Sequence, residues 1–249
     1  MMKRFLNFFA MQFVLASRSK IALFWSFVYP VVMLLLMLSV FGNLQKSGVS
    51  GADPRLVTVT GVLVLTIMSG GIFALVTVLA SDLQSGVYKR LKLTDLRPLD
   101  VIFALMLRQF IIIVIGAILV LLAAKLLFRV TPNGDIASLI FLTTIGSTLF
   151  CSIGFIIVNL CSRPPAATAI ANMIFLVMLF LSGSTFPKAV FPSWLANAAQ
   201  ILPASHLFDL LEGQLYYGEG LLDNTKSLAI LLTMCLVLLI VAIKTFKWK

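Results

Sequence analysis

Apolar positions in this chain neither alternate nor come in short amphipathic stretches; they run on. Six stretches, Ile21 to Phe41, Leu56 to Ala80, Gln109 to Phe128, Ile136 to Leu160, Ala166 to Ser184 and Ser227 to Ile243, are continuous and nearly free of charge. A bilayer core of about 30 Å takes about 20 helical residues at about 1.5 Å each, so every run is long enough to span it. Barrel strands would instead show short segments of alternating polarity. The pattern predicts an all-α integral membrane protein with six transmembrane helices in a single domain over 1–249.

The segments between the runs differ in kind. The opening MMKRFLNFFAMQFVLAS imitates a secretory signal, with a basic start, an apolar stretch and small residues near Ala16. It ends in Arg18 to Lys20 directly before a full-length run, so an interfacial helix over 1–20, with Arg4, Asn7 and Arg18 near one face, is the better fit. Ser81 to Asp100 is the most charged segment. It reads either as a solvated loop or as a docking element, in which Gly86 permits a turn and Val87 to Leu93 alternates apolar and basic groups. In Phe186 to Lys226, Trp194, Leu195, Ala198, Ile201 and Leu202 follow helical spacing between Pro192 and Pro203. A helix of about ten residues covers about 15 Å, half a bilayer, so 186–205 is predicted to enter the outer leaflet and turn back as a re-entrant hairpin. Non-helical backbone at that depth is tolerated where protein or a water-filled cavity satisfies it.

Composition agrees with a lipid solvent: 61% of residues are hydrophobic and 11% charged, against about 25% charged in soluble domains. The net charge of +10 reports topology rather than nucleic-acid binding. With six alternating spans, Lys3, Arg4, Arg18, Lys20, Lys89, Arg90, Lys92, Arg97, Arg163, Lys244, Lys247 and Lys249 share one side. Lys46, Arg55, Lys125, Arg129, Lys188 and Lys226 fall on or near the other. The positive-inside rule makes the richer side cytoplasmic, with both termini inside and contact to anionic lipid. Cys151, Cys161 and Cys235 lie in or at the ends of spans without paired spacing, so neither a disulfide framework nor a metal site is expected.

A few polar residues need placing. Arg108 at a span centre would cost about 2.5–3.5 kcal/mol. Starting the third span at Gln109 turns Asp100 to Arg108 into a cytoplasmic extension of that helix; the alternative is an intramembrane arginine lining a pathway. Thr144, Thr148 and Ser152 share one face of the fourth span, for helix packing or for substrate. Gly70 and Gly71 read as close packing or as a kink.

Chemistry of the chain's own is sparse. There is no GxxxxGK[ST] phosphate loop, and GNLQKS at Gly42 to Ser47 lacks the second glycine. No predicted span holds Asp or Glu in its interior, which disfavours a self-sufficient secondary carrier. His206, the only histidine, follows Pro203 in the outer loop; a capping role competes with a Ser–His pair to Ser182 or Ser184.

The chain resembles the permease subunits of type-2 ATP-binding-cassette exporters. The resemblance is carried by Ser182-Gly183, Phe186-Pro187, Pro192-Ser193-Trp194-Leu195, Leu202-Pro203 and Asp209-Leu210, and by Gly86 with Lys89-Arg90-Leu91 and Arg97-Pro98-Leu99. Where that family's loop usually has an acidic-basic pair before the glycine, this chain has Gln84-Ser85, and Asp82 is the nearest acid. The resemblance implies a permease in the cell membrane without an ATPase site or cofactor of its own. It would pair with an identical or related permease and with two ATPase subunits that bind ATP and Mg. It assigns ATPase coupling to Arg4, Arg18, Gly86, Lys89, Arg90, Leu91 and Lys92, and an extracellular gate to Phe186, Pro187, Pro192, Trp194, Leu195 and Pro203. An apolar interior with Thr and Ser faces suits an amphipathic or hydrophobic cargo, such as a drug, a lipid-like molecule or an amphipathic peptide. An accessory or immunity subunit without a pathway, and a secondary carrier, are the competing readings.

Overall fold

The computed structural model describes residues 8–15, 24–41, 55–87, 98–130, 134–161, 163–186 and 191–245, and all regular structure among them is helical. In chain order these are α1 (8–15), α2 (a π-helical turn Phe24–Val28 leading into Tyr29–Phe41), α3 (Arg55–Gln84), α4 (Pro98–Phe128), α5 (Ile136–Leu160), α6 (Pro164–Leu181), α7 (Ser193–Ala199), α8 (Pro203–Glu212, continuing as the π-turn Gly213–Tyr217) and α9 (Thr225–Thr245). Five of them, α3, α4, α5, α6 and α9, are long and apolar enough to cross a membrane. The sixth apolar helix, α2, has a shorter apolar core at Ser26–Val40 among the described residues.

The helix ends follow local chemistry. Asp135 caps α5 by accepting from the Ser138 backbone N–H at 3.2 Å. Prolines open α6 and α8 at positions whose N–H would be unsatisfied anyway. Gly86, with φ of 70°, follows α3 and ends it at the turn the sequence anticipates. At the end of α4, Arg129 takes the same left-handed conformation, and the Val130 N–H returns to the Ala124 carbonyl at 3.2 Å. Arg55 also donates to the Phe128 carbonyl at 3.3 Å, placing a cation at the negative end of the helix dipole.

Packing makes α3 and α5 the centre and leaves α6 and α9 mostly exposed on the outside. α5 lies against α9, α4 and the middle of α3, while the last two turns of α3 rest on α6. α2 packs against the first half of α3 and against α4. The central crossing is backbone on backbone. A Cβ added at Gly71 would lie 2.5 Å from Phe150 Cβ and 3.0 Å from the Cys151 amide nitrogen, and one at Gly154 would lie 3.0 Å from the Gly71 carbonyl. This crossing coincides with a π-helical stretch of α3, Ser69–Ala74, so Gly70 and Gly71 serve both packing and a change of helix winding.

Gly71→Ala is therefore expected to force α3 and α5 apart and destabilise the fold by about 1–3 kcal/mol. Thermal unfolding in detergent measures this, and an unchanged midpoint would contradict so close a crossing.

Candidate functional site

The bundle presents two polar ends and a polar row between them. At the inner end, by the topology of the basic residues, the structure departs from expectation at Arg108. The helix does extend back to Pro98, as predicted, but the arginine is not in a solvated extension; it is 3% exposed. One guanidinium nitrogen, Nη1, donates to Gln12 Oε1 at 3.4 Å, and Nη2 donates to Gln109 Oε1 at 3.2 Å. Asp82, in the last turn of α3, and Cys151 of α5 lie within electrostatic reach of the same charge. Arg108 lies about 30 Å along α4 from Phe128, roughly the thickness of a hydrocarbon core. Hydrogen bonds to a charged group contribute about 1.5–3 kcal/mol each, enough to offset the cost of inserting the arginine there.

α1 owes its orientation to this site. Phe8 and Gln12, one turn apart, are buried, whereas Met11, Phe13, Val14 and Leu15 are exposed. Gln12 is thus turned into the protein, and the apolar Met11, Phe13, Val14 and Leu15 are left on the outside. Arg4, Asn7 and Arg18 lie outside the described residues, as do Lys89, Arg90, Leu91 and Lys92. Of the expected coupling set, Gly86 alone is described, and a Cβ there would meet nothing within 4 Å.

The outer end is closed by α8, which the sequence reading left in a loop. Ala204, Leu207 and Leu211 are fully buried, and α8 packs against α3, α5, α6 and α9. Polar links tie it down. Gln214 Nε2 donates to the Asp135 carbonyl at 2.7 Å, and Ser205 Oγ donates to the Leu181 carbonyl at 3.5 Å. His206 Nε2 donates to the Gln200 carbonyl at 2.8 Å, joining α8 to the end of α7. Next to them, a Cβ at Gly61 of α3 would collide with the Ser184 carbonyl. Ser182 and Ser184 pair through their hydroxyls at 2.7 Å. With both hydroxyls and the imidazole Nε2 so engaged, the structure assembles a packed cap rather than a Ser–His nucleophile.

The expected gate residues divide. Pro203 is buried as the first residue of α8. Phe186 stacks on Phe180 with ring centroids 6.0 Å apart. Pro192 precedes α7 and is exposed, Leu195 is half-buried, and Trp194 is 70% exposed; Pro187 lies outside the described residues. The helix expected from Trp194 to Leu202 stops at Ala199, and Pro203 opens a second helix instead of closing the first. The apolar spacing Ala204, Leu207, Leu211, Leu215 behind a proline was the available signal.

Between the ends, Thr144, Thr148 and Ser152 bond back to carbonyls of their own helix, at 2.7, 2.8 and 2.7 Å. They differ in burial: Ser152 is enclosed, Thr148 half-buried and Thr144 exposed. The inner part of this row therefore packs, and its outer part faces away from the chain.

The described residues thus form a multi-spanning all-α bundle with a helical cap packed over one end. The chain belongs to the ABC-2 type transporter family, which it matches over residues 4–216, and it is a multi-pass membrane protein of the permease kind. That family is the transmembrane component and generally works with separate ABC ATPases. No curated protein matches the chain.

Gln214 offers a test of the cap. Its Oε1 has no hydrogen-bond partner among the described residues, while its Nε2 holds Asp135. Gln214→Leu should cost about 1 kcal/mol for the one bond lost, and Gln214→Glu, which aims a buried carboxylate at a carbonyl, about 2–3 kcal/mol. Unfolding midpoints of the two variants check that order.

Proposed function

We propose that the whole chain is one permease unit of an ATP-driven exporter, paired with an identical or related permease and driven by two ATPase subunits that bind ATP and Mg. Its cargo is an amphipathic or hydrophobic molecule, of the drug, lipid-like or amphipathic-peptide class, and both termini face the cytoplasm of a cell whose membrane it spans. The observation that carries this reading is the outer closure: α8 is buried across four helices and tied by Gln214 and Ser205 to the ends of two of them. A bundle sealed outside and basic inside suits a pathway that loads from the inner side and opens outward when work is done on it.

Within this reading the N-terminal segment with Arg4 and Arg18, and the loop from Gly86 through Lys89, Arg90, Leu91 and Lys92, receive the push of the ATPases. Phe186, Pro187, Pro192, Trp194, Leu195 and Pro203 shape the outer lid in a helical hairpin that enters and leaves the outer leaflet, with α8 as its deeply seated arm. Trp194, exposed in a single chain, finds its contact on the paired permease or in lipid. Thr144 and Thr148 face the pathway, where hydroxyls satisfied within their own helix present methyl groups to an apolar cargo.

Gentle solubilisation and capture of the chain should bring down a stoichiometric phosphate-loop ATPase. Its reproducible absence would favour an accessory subunit or a secondary carrier. In the captured complex, reversing the charges at Lys89, Arg90 and Lys92 together should uncouple hydrolysis from the permease by about tenfold or more while leaving the bundle folded. Normal coupling in that variant would remove the docking role of the loop. Trp194→Ala should raise substrate-independent leak in proteoliposomes, and an unchanged leak would leave Trp194 as an interfacial anchor.

A further inference from the structure

The buried cation has a role that the reading of the two ends does not assign. Arg108 joins α1 to α4: its guanidinium donates to Gln12 of α1 and to Gln109 beside it on α4. Gln12 and Gln109 are 3% and 1% exposed, so neither bond is exchanged for water without separating the helices. Gln109 in turn stands against the π-helical stretch of α3, where a Cβ at Gly70 would lie 3.5 Å from its Nε2. The neighbouring glycine of that stretch, Gly71, touches α5 at Phe150 and Cys151. An unbroken line of contacts therefore runs from α1 through Arg108 and Gln109 to the central crossing of the bundle.

We propose that Arg108 is the joint that makes α1 and α4 move as one body, and so a positioning residue for the coupling of ATP hydrolysis to the pathway. This rests on the ATP-driven reading above. The physical basis is directional. Apolar side chains slide over one another at little cost, and Phe8 and Phe9 by themselves would leave α1 free to roll on the bundle. A guanidinium fork shared between two amides keeps its bonds in one geometry and loses both outside it. Displacement of α1 at the membrane surface is then carried to the α3–α5 crossing rather than absorbed at the first contact.

The test is a pair of spin labels at Met11→Cys on α1 and Phe103→Cys on α4, both exposed positions, in the complete complex in nanodiscs with the three native cysteines replaced by serine. Without nucleotide, one narrow distance is expected, and Arg108→Gln and Gln12→Ala should each lower the ratio of docked to undocked α1 by about tenfold. With ATP and vanadate, a second pair, Phe103→Cys and Leu160→Cys, should report a displacement of α4 that both variants reduce to less than about half. Gln12→Ala leaves the arginine in place, so it answers even if Arg108→Gln does not fold. Unchanged α1 docking in Gln12→Ala, or full α4 displacement despite lost docking, would overturn the joint. No displacement of α4 in the parent complex would instead overturn the ATP-driven reading, while the nucleotide-free distances would still decide the docking of α1.

Discussion

The structure depends on two helices touching without side chains between them. In lipid there is no hydrophobic gain from bringing helices together, so association rests on close packing and on polar bonds. At the crossing of α3 and α5, glycines at 71 and 154 remove the side chains that would hold the backbones apart. Every other long helix is placed by reference to this pair: α4, α6 and α9 lie against α5, and α2 against α3. The π-helical stretch at Ser69–Ala74 is the local cost of the arrangement, a change of winding in the middle of one of the two most enclosed long helices.

Polar groups are then used sparingly and at opposite ends for different purposes. Outside, neutral groups join the cap to the bundle: an amide to a carbonyl at Gln214 and Asp135, a hydroxyl at Ser205, an imidazole at His206. Such bonds are each worth about 1 kcal/mol net and can be exchanged one at a time. At the other end Arg108 takes its amide partners from α1 and α4, and charge-assisted bonds in a low-dielectric interior are stronger and less divisible. The proposed cycle, in which the cap opens and the joint holds, would use these two chemistries for those two tasks, and it rests on membership of the ABC-2 type transporter family, whose members generally work with ABC ATPases.

How far the chain could be read in advance depends on the kind of signal involved. Hydrophobic run length was sufficient for the five long helices: Ile136 to Leu160 matches its helix end for end, α3, α6 and α9 agree to within a few residues, and α4 runs further back, to Pro98. The extension of α4 back through Asp100 was legible because nothing between Pro98 and Gln109 breaks a helix. The cap was only half legible. Trp194 and its prolines drew attention to α7, whereas the buried arm, α8, carries Asp209, Glu212 and His206 among its apolar positions and so resembled a loop on average polarity. Its apolar spacing, not its mean hydropathy, held the information.

The sequence by itself determined that the chain is an all-α membrane protein and where its long apolar helices lie, because the cost of unpaired backbone in lipid and the length of a bilayer act on local sequence alone. Tertiary structure decided which groups meet. The same Arg108 could sit in water, line a pathway or be enclosed, and its linear neighbours do not distinguish these. Gln12, 96 positions away, does. Likewise the hydroxyl row from Thr144 to Ser152 is one face in sequence but passes from exposed to buried in space, since burial is set by neighbouring helices and not by the helix that carries the residues.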